Sequence, residues 1–172
     1  MTRAVTNGDG DMLCLDRQIC FPLYAASNLL TRVYRPLLAP LNLTYPQYLV
    51  MMVLWRQSPI CVGDLGRQLY LDSGTVTPLL KRMERAGLVT RRRDTQDERR
   101  VIVRLTTHGA DLRERLAHVP TKLAERIGPR LDAETAEQLR VAASTLVTIL
   151  SDNFPAPSPD GMAAESLSPE PS

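Results

Sequence analysis

The 172-residue chain reads as mainly α-helical with one small β-hairpin. Three observations carry that reading. Apolar residues recur at helical spacing through most of the chain between about residues 20 and 153. A single stretch, Val101 to Leu105, alternates at period two. A polar tip, "DTQDE", separates that stretch from "LVTRRR" and makes the pair a hairpin.

Taken in order, Leu23, Ala26, Leu30, Val33 and Leu37 form the broad stripe of a largely buried helix from about Cys20 to Leu38. "TYPQYLVMMVLW" opens a second helix, with Pro46 tolerated in its first turn and Thr44 or Tyr45 before it. Val62, Leu65 and Leu69 stand at i, i+3 and i+7 of a short third one. After a break at "YLDSG", Val76, Leu79, Leu80 and Met83 repeat the pattern and end at "RAGL", where Gly87 is a natural stop. Propensity alone starts this fourth helix at Thr77 with Pro78 as its first residue, because Pro78 inside a helix begun near Ser73 forfeits a backbone hydrogen bond. The segments from about Thr107 to Ile127 and Asp132 to Asn153 are also helical. In the last, Leu139, Ala142, Ala143, Leu146, Ile149 and Leu150 make one apolar stripe. It fits a dimer interface, with packing against the first helix as the alternative. Two short helices, a tight turn and a basic hairpin in that order are a winged helix-turn-helix.

With 44% hydrophobic and 23% charged residues, the composition suits one ordinary globular domain. The N-terminus has no apolar signal region and no stretch approaches the roughly 18 apolar residues of a membrane helix. We therefore expect a cytoplasmic protein without a membrane partner. There the thiols of Cys14, Cys20 and Cys61 start reduced. Their spacing from each other and from His108 and His118 matches no zinc motif, so neither a metal nor another cofactor is expected.

The formal net charge is only +2. From Lys81 to Arg104, however, nine Lys or Arg face four Asp or Glu, a local +5. Alone this suits a solvated face; on a winged helix it is the footprint of a polyanion site. The second helix of a helix-turn-helix enters the major groove with its N-terminal residues near the base edges. If Val76, Leu79, Leu80 and Met83 turn inward, Ser73, Thr75 and Thr77 stand at that entry and Lys81, Arg82 and Arg85 turn outward. Arg91, Arg92, Arg93, Asp97, Arg99 and Arg100 then belong to the wing, where a tip Arg enters the minor groove and the others meet phosphates. The expected partner is double-stranded DNA.

"LYLDSGTVTPLLKRMERAGLVTRRRDTQDERRVIVRLT" resembles the core of the MarR family of winged-helix repressors, and its Asp97, Glu98, Arg99 tip matches that family's wing signature. "ICFPLYAASNLLTRVYRPLL" and "LNLTYPQYLVMMVLW" are similar to the organic hydroperoxide sensors of its OhrR branch. The resemblance spans about residues 15 to 120. It implies a homodimer formed by the first and last helices that represses from a pseudo-palindromic operator. Peroxide oxidation of Cys20 then releases the DNA and derepresses an organic hydroperoxide resistance gene. It also implies that Tyr24, Tyr34 and Tyr45 support the thiolate, Tyr34 and Tyr45 from the partner subunit. The domain expectation follows: 1–12 a disordered arm, 13–45 a dimerisation and sensing helix, 46–106 the winged lobe, 107–153 the C-terminal dimerisation helices, 154–172 a disordered tail.

The residues themselves bear on Cys20. The nucleophilic thiolate is favoured at a helix start, and Pro22, comfortable only in a first turn, supports a start close by. Tyr24 lies four residues on, on the same helical face, where a phenol can donate to sulfur. The plain alternative is an inert core cysteine. Oxidation gives a sulfenic acid that a second thiol converts to a disulfide. No cysteine follows Cys61, so the capping group is a low-molecular-weight thiol, the upstream Cys14, or further oxygen in over-oxidation. Two other functions compete. A cysteine peroxidase or acyl transferase would need a base near Cys20, where neither histidine lies. A repressor released by a phenolic ligand would need no cysteine at all.

Overall fold

The computed structural model describes residues 14–128 and 131–153, so the expected tails at 1–12 and 154–172 lie outside the described residues. A 3-10 turn at Leu15–Arg17 leads into α1 (Cys20–Leu38). A second turn, Ala39–Leu41, ends on Asn42 in the left-handed region and hands the chain to α2 (Tyr45–Arg56). Gln47 Oε1 accepts the Thr44 N–H at 2.8 Å, closing a capping box at the start of α2. Then follow β1 (Ile60–Cys61), α3 (Val62–Leu69), α4 (Ser73–Arg85), β2 (Val89–Arg93) and β3 (Val101–Leu105). Three helices complete the chain: α5 (Thr107–Leu116), α6 (Val119–Ile127) and α7 (Ala133–Asn153). The sheet is antiparallel in the order β1-β3-β2, with Val89 opposite Leu105, Arg93 opposite Val101, and Ile60 opposite Val103.

Three sequence expectations need correction. The recognition helix α4 starts at Ser73, one turn before Thr77. The Asp72 carboxylate accepts the Thr75 N–H at 2.7 Å and its carbonyl accepts that of Val76 at 2.9 Å. This cap is worth about 1 kcal/mol and brings Val76 into the core at 2% exposure. The bond missing at Pro78 would have reached the carbonyl of Gly74, an exposed residue that water serves, so Pro78 sits inside the helix at reduced loss. The hairpin also gains a third strand, β1, too short to show a period. Finally, the segment from Thr107 to Ile127 is two helices, because Pro120 in the first turn of α6 cannot continue α5.

The core lies in the winged lobe and its roof. Met51, Leu54, Leu65, Leu80, Met83, Val103, Leu112 and Leu116 are all at most 2% exposed and belong to one cluster. Contrary to the sequence expectation, α1 is not largely buried within the chain: it contributes only Leu38 to that cluster and leaves Leu23, Ala26, Leu29 and Leu30 exposed, because no other described element of the chain covers them. α7 has no buried residue, with Leu139, Val141, Ile149 and Leu150 each about half open. Its stripe is thus not covered within the chain by α1, whose neighbours are α2 and α6. No single described helix is long and apolar enough to cross a membrane; α1 and α2 meet the composition only as a pair bent by 70°.

One junction ties the lobe together. Thr106 Oγ1 accepts the Gly109 N–H at 2.9 Å, capping α5, and donates to the Gly87 carbonyl at 2.6 Å. The first turn of α5 then lies so close to the entry of β2 that a Cβ on Gly109 would stand 2.1 Å from the Leu88 carbonyl oxygen. Trp55 on α2 closes the joint by donating its indole N–H to the Gly109 carbonyl at 2.9 Å.

Gly109→Ala is therefore expected to lower stability by about 3 kcal/mol, since the obstacle is backbone. Gly63→Ala, whose new Cβ meets nothing nearer than Arg67 Nη1 at 4.0 Å, should be neutral or stabilise by about 0.5 kcal/mol. Urea unfolding of both variants at one protein concentration checks the pair; equal effects would contradict the close approach.

Candidate functional site

Burial of Val76, Leu79, Leu80 and Met83 fixes the orientation of α4. The opposite face presents Ser73, Thr75, Lys81, Arg82 and Arg85 to solvent, with Thr77 half-buried at its edge. Thr75 is also part of the helix cap, its hydroxyl 3.2 Å from Asp72 Oδ2. Arg85 Nε leans back on the Lys81 carbonyl at 3.5 Å. Among the described residues Lys81, Arg82, Arg92, Arg93 and Arg99 make no ion pair, so α4 and the wing expose free cations in one region. Such a surface matches the phosphate backbone of a duplex.

The wing residues named from sequence fall into two groups. Arg92, Arg93 and Arg99 are exposed. Arg91, expected to meet DNA, instead faces the lobe. Its cross-strand partner is the fully buried Val103, and its guanidinium donates to Glu84 Oε2 from Nε at 3.0 Å and from Nη2 at 2.8 Å. Arg100 turns toward Asp64 at 3.8 Å, beside the half-buried Cys61 at the N-cap of α3. Asp97 shapes the tip: its carboxylate accepts the Arg99 N–H at 3.0 Å and its carbonyl the Arg100 N–H at 2.9 Å. The Asp94 carboxylate likewise accepts the Gln96 N–H at 3.0 Å. Sequence reasoning missed Glu84, a lone acid among cations seven residues before Arg91. It also missed Trp55 and Thr106, whose signal was only a single Trp closing a helix and a Thr preceding one.

The thiols occupy a different region. Cys20 is the first residue of α1 and exposed, as is Cys14 just ahead of the 3-10 turn. Tyr24 is exposed one turn along α1. Tyr34 and Tyr45 come together elsewhere, stacked with ring centroids 4.5 Å apart. Tyr48 joins them 5.9 Å from Tyr34, and its other edge meets Trp55 at 6.3 Å. Burial raises the pKa values of all three phenols above the usual 10, so they keep their protons and remain donors. Cys20 and Tyr34 are fourteen residues apart on one continuous helix, a rise of about 21 Å. Within a subunit they cannot touch. Among the described residues no cluster of His, Cys, Asp or Glu is able to hold a metal ion.

The MarR family model matches residues 43–101, from the approach to α2 through the start of β3. Over 140 residues the chain is 46% identical to the organic hydroperoxide resistance transcriptional regulator of Bacillus subtilis (strain 168), covering 81% of this chain and 92% of that one. Two solved structures of AbfR from Staphylococcus epidermidis share the fold. The reduced protein bound to DNA superposes with a TM-score of 0.67 at 34% identity, over 79% of this chain and 94% of that one. The overoxidised protein bound to DNA gives 0.65 at 32%, over 82% and 98%.

The buried phenols predict a pH dependence. A phenol whose pKa is higher in the folded than in the unfolded chain stabilises the fold fully below about pH 10, and this contribution is lost as pH rises through the folded value. Stability should therefore fall above about pH 10, and Tyr45→Phe should make the fall shallower. Unfolding midpoints between pH 8 and 11 measure this; an unchanged profile in Tyr45→Phe would count against the burial of that hydroxyl.

Proposed function

Because the chain belongs to the MarR family of transcriptional regulators, which bind operator DNA as dimers, we propose that it is a repressor that holds its operator while Cys20 is reduced and releases it on oxidation by an organic hydroperoxide. Like its relatives it is a DNA-binding regulator and not an enzyme. The reading places it in the cytoplasm, on a pseudo-palindromic site beside an organic hydroperoxide resistance gene.

The observation that carries the proposal is the placement of Cys20: an exposed thiol on the first residue of a helix, too far along it to meet its own Tyr34. In a homodimer built from the uncovered faces of α1 and α7, the partner's Tyr34 and Tyr45 donate to the Cys20 thiolate, with Tyr24 supporting it from the same helix. The thiolate attacks the hydroperoxide, the O–O bond breaks, sulfur becomes sulfenic acid, and the leaving alkoxide takes a proton to become an alcohol. A second thiol then attacks the sulfenic sulfur, forming a disulfide and releasing water. That thiol is a low-molecular-weight one or Cys14. AbfR is bound to DNA when overoxidised, which favours a disulfide over a sulfinic acid as the releasing state here.

The test is binding of the protein to its own upstream DNA before and after one equivalent of organic hydroperoxide plus a small thiol. Wild type should lose at least about tenfold in affinity, Cys20→Ser should keep its affinity, and Tyr34→Phe with Tyr45→Phe should respond more slowly. Retention of DNA by oxidised wild type would sink the peroxide reading; release of Cys20→Ser by a phenolic ligand would replace it with ligand control.

A further inference from the structure

An acid on a DNA-facing helix normally repels phosphate, so Glu84 on α4 needs a reason to be there. Its carboxylate is divided between two kinds of donor from one strand residue. Oε1 accepts the backbone N–H of Arg91 at 2.9 Å, and Oε2 accepts both Nε and Nη2 of the same side chain. Three charge-assisted hydrogen bonds thus clamp β2 to the recognition helix, and both side chains are partly buried, 20% exposed for Arg91 and 36% for Glu84. The opposite strand is held more loosely, by Asp64 of α3 near Arg100. Lys81 and Arg82 precede Glu84 on α4, and Arg92 and Arg93 follow Arg91 on β2, so the clamp joins the two exposed cationic segments. Both sets must meet one duplex at once, and a fixed angle between them removes an ordering cost from binding.

We propose that Glu84, through Arg91, is a positioning residue for DNA recognition, holding the wing at the angle at which Arg92, Arg93 and Arg99 meet the duplex while α4 lies in the groove. The proposal rests on α4 and the wing being the DNA-contacting face. It reverses the sign expected from charge alone. Removing a negative charge from a bare cationic face tightens binding to any DNA, whereas breaking the clamp weakens binding to the operator.

The experiment titrates the full-length reduced protein with its operator and with random duplex at several salt concentrations, using Glu84→Gln, Arg91→Lys, the double variant, and Arg82→Gln and Arg92→Gln as face controls. Glu84→Gln should lose about tenfold on the operator and little or nothing on random duplex. Arg91→Lys, which keeps the charge but not the fork, should lose as much, and the double variant no more than either. Tighter operator binding by Glu84→Gln, full affinity in Arg91→Lys, or equal losses on both DNAs would each overturn the clamp. The face controls report separately. Each should shallow the salt dependence by about 0.9 in log K per log salt. If neither does, the face has been misread, whatever the clamp variants show.

Discussion

The structure depends on the close approach of α5 to the entry of β2. Gly109 lies so near the Leu88 carbonyl that no side chain fits, and Thr106 converts that proximity into bonds by capping α5 while donating to Gly87. The helix turn before β2, the end of β3 and the first turn of α5 thereby become one rigid piece. Trp55 adds α2 to it through the Gly109 carbonyl. Because Trp55 also meets Tyr48, which meets Tyr34, the stacked phenols and the root of the wing belong to one continuous packed path. In the switch proposed above, this path of packed rings is the physical connection through which a displacement of the phenols would reach the DNA-binding lobe.

Electrostatics divides the same lobe into two functions. Cations without carboxylate partners among the described residues, Lys81, Arg82, Arg92, Arg93 and Arg99, form the outward surface, while Arg91 and Arg100 turn to Glu84 and Asp64 and hold the frame. Pairing Arg91 with Glu84 also holds the Glu84 carboxyl below its ordinary range, so the clamp stays charged through neutral pH. Paired and outward cations of like sequence appearance are separated by whether a carboxylate stands within reach: Arg91 and Arg93 lie on the same face of β2, and Arg91 is the one that meets Glu84.

That is also where sequence legibility ends. The helices, the hairpin and the inward row Val76, Leu79, Leu80, Met83 could be read because burial imposes a period on apolar residues. The start of α4 could not, because one Asp72 cap and the burial of Val76 outweigh the local preference of Pro78. β1 was invisible since two residues carry no period. Arg91 looked like its neighbours because a run of arginines hides the alternation that hydrophobic residues reveal. Cys20 and Tyr24 were legible as a helix start with a phenol one turn on. Tyr34 and Tyr45 were singled out only by family resemblance, and their stacking on each other was not foreseen, since it is made by the 70° bend between α1 and α2.

The energetics of the proposed switch follow from the geometry. Moving a two-state equilibrium from almost all bound to almost all released requires about 5.5 kcal/mol of difference between the states. A hydrogen bond to a charged group contributes about 1.5–3 kcal/mol. Two phenols donating to each of two Cys20 thiolates make four such bonds in a dimer, which brackets the requirement from above. In the proposed switch, converting each thiolate to an uncharged disulfide weakens all four, and it drives release to the extent that these bonds are made in the DNA-bound state and not in the released one. Burial of Tyr34 and Tyr45 suits them to this role: phenols held protonated remain donors, and their stacking presents them as one packed unit.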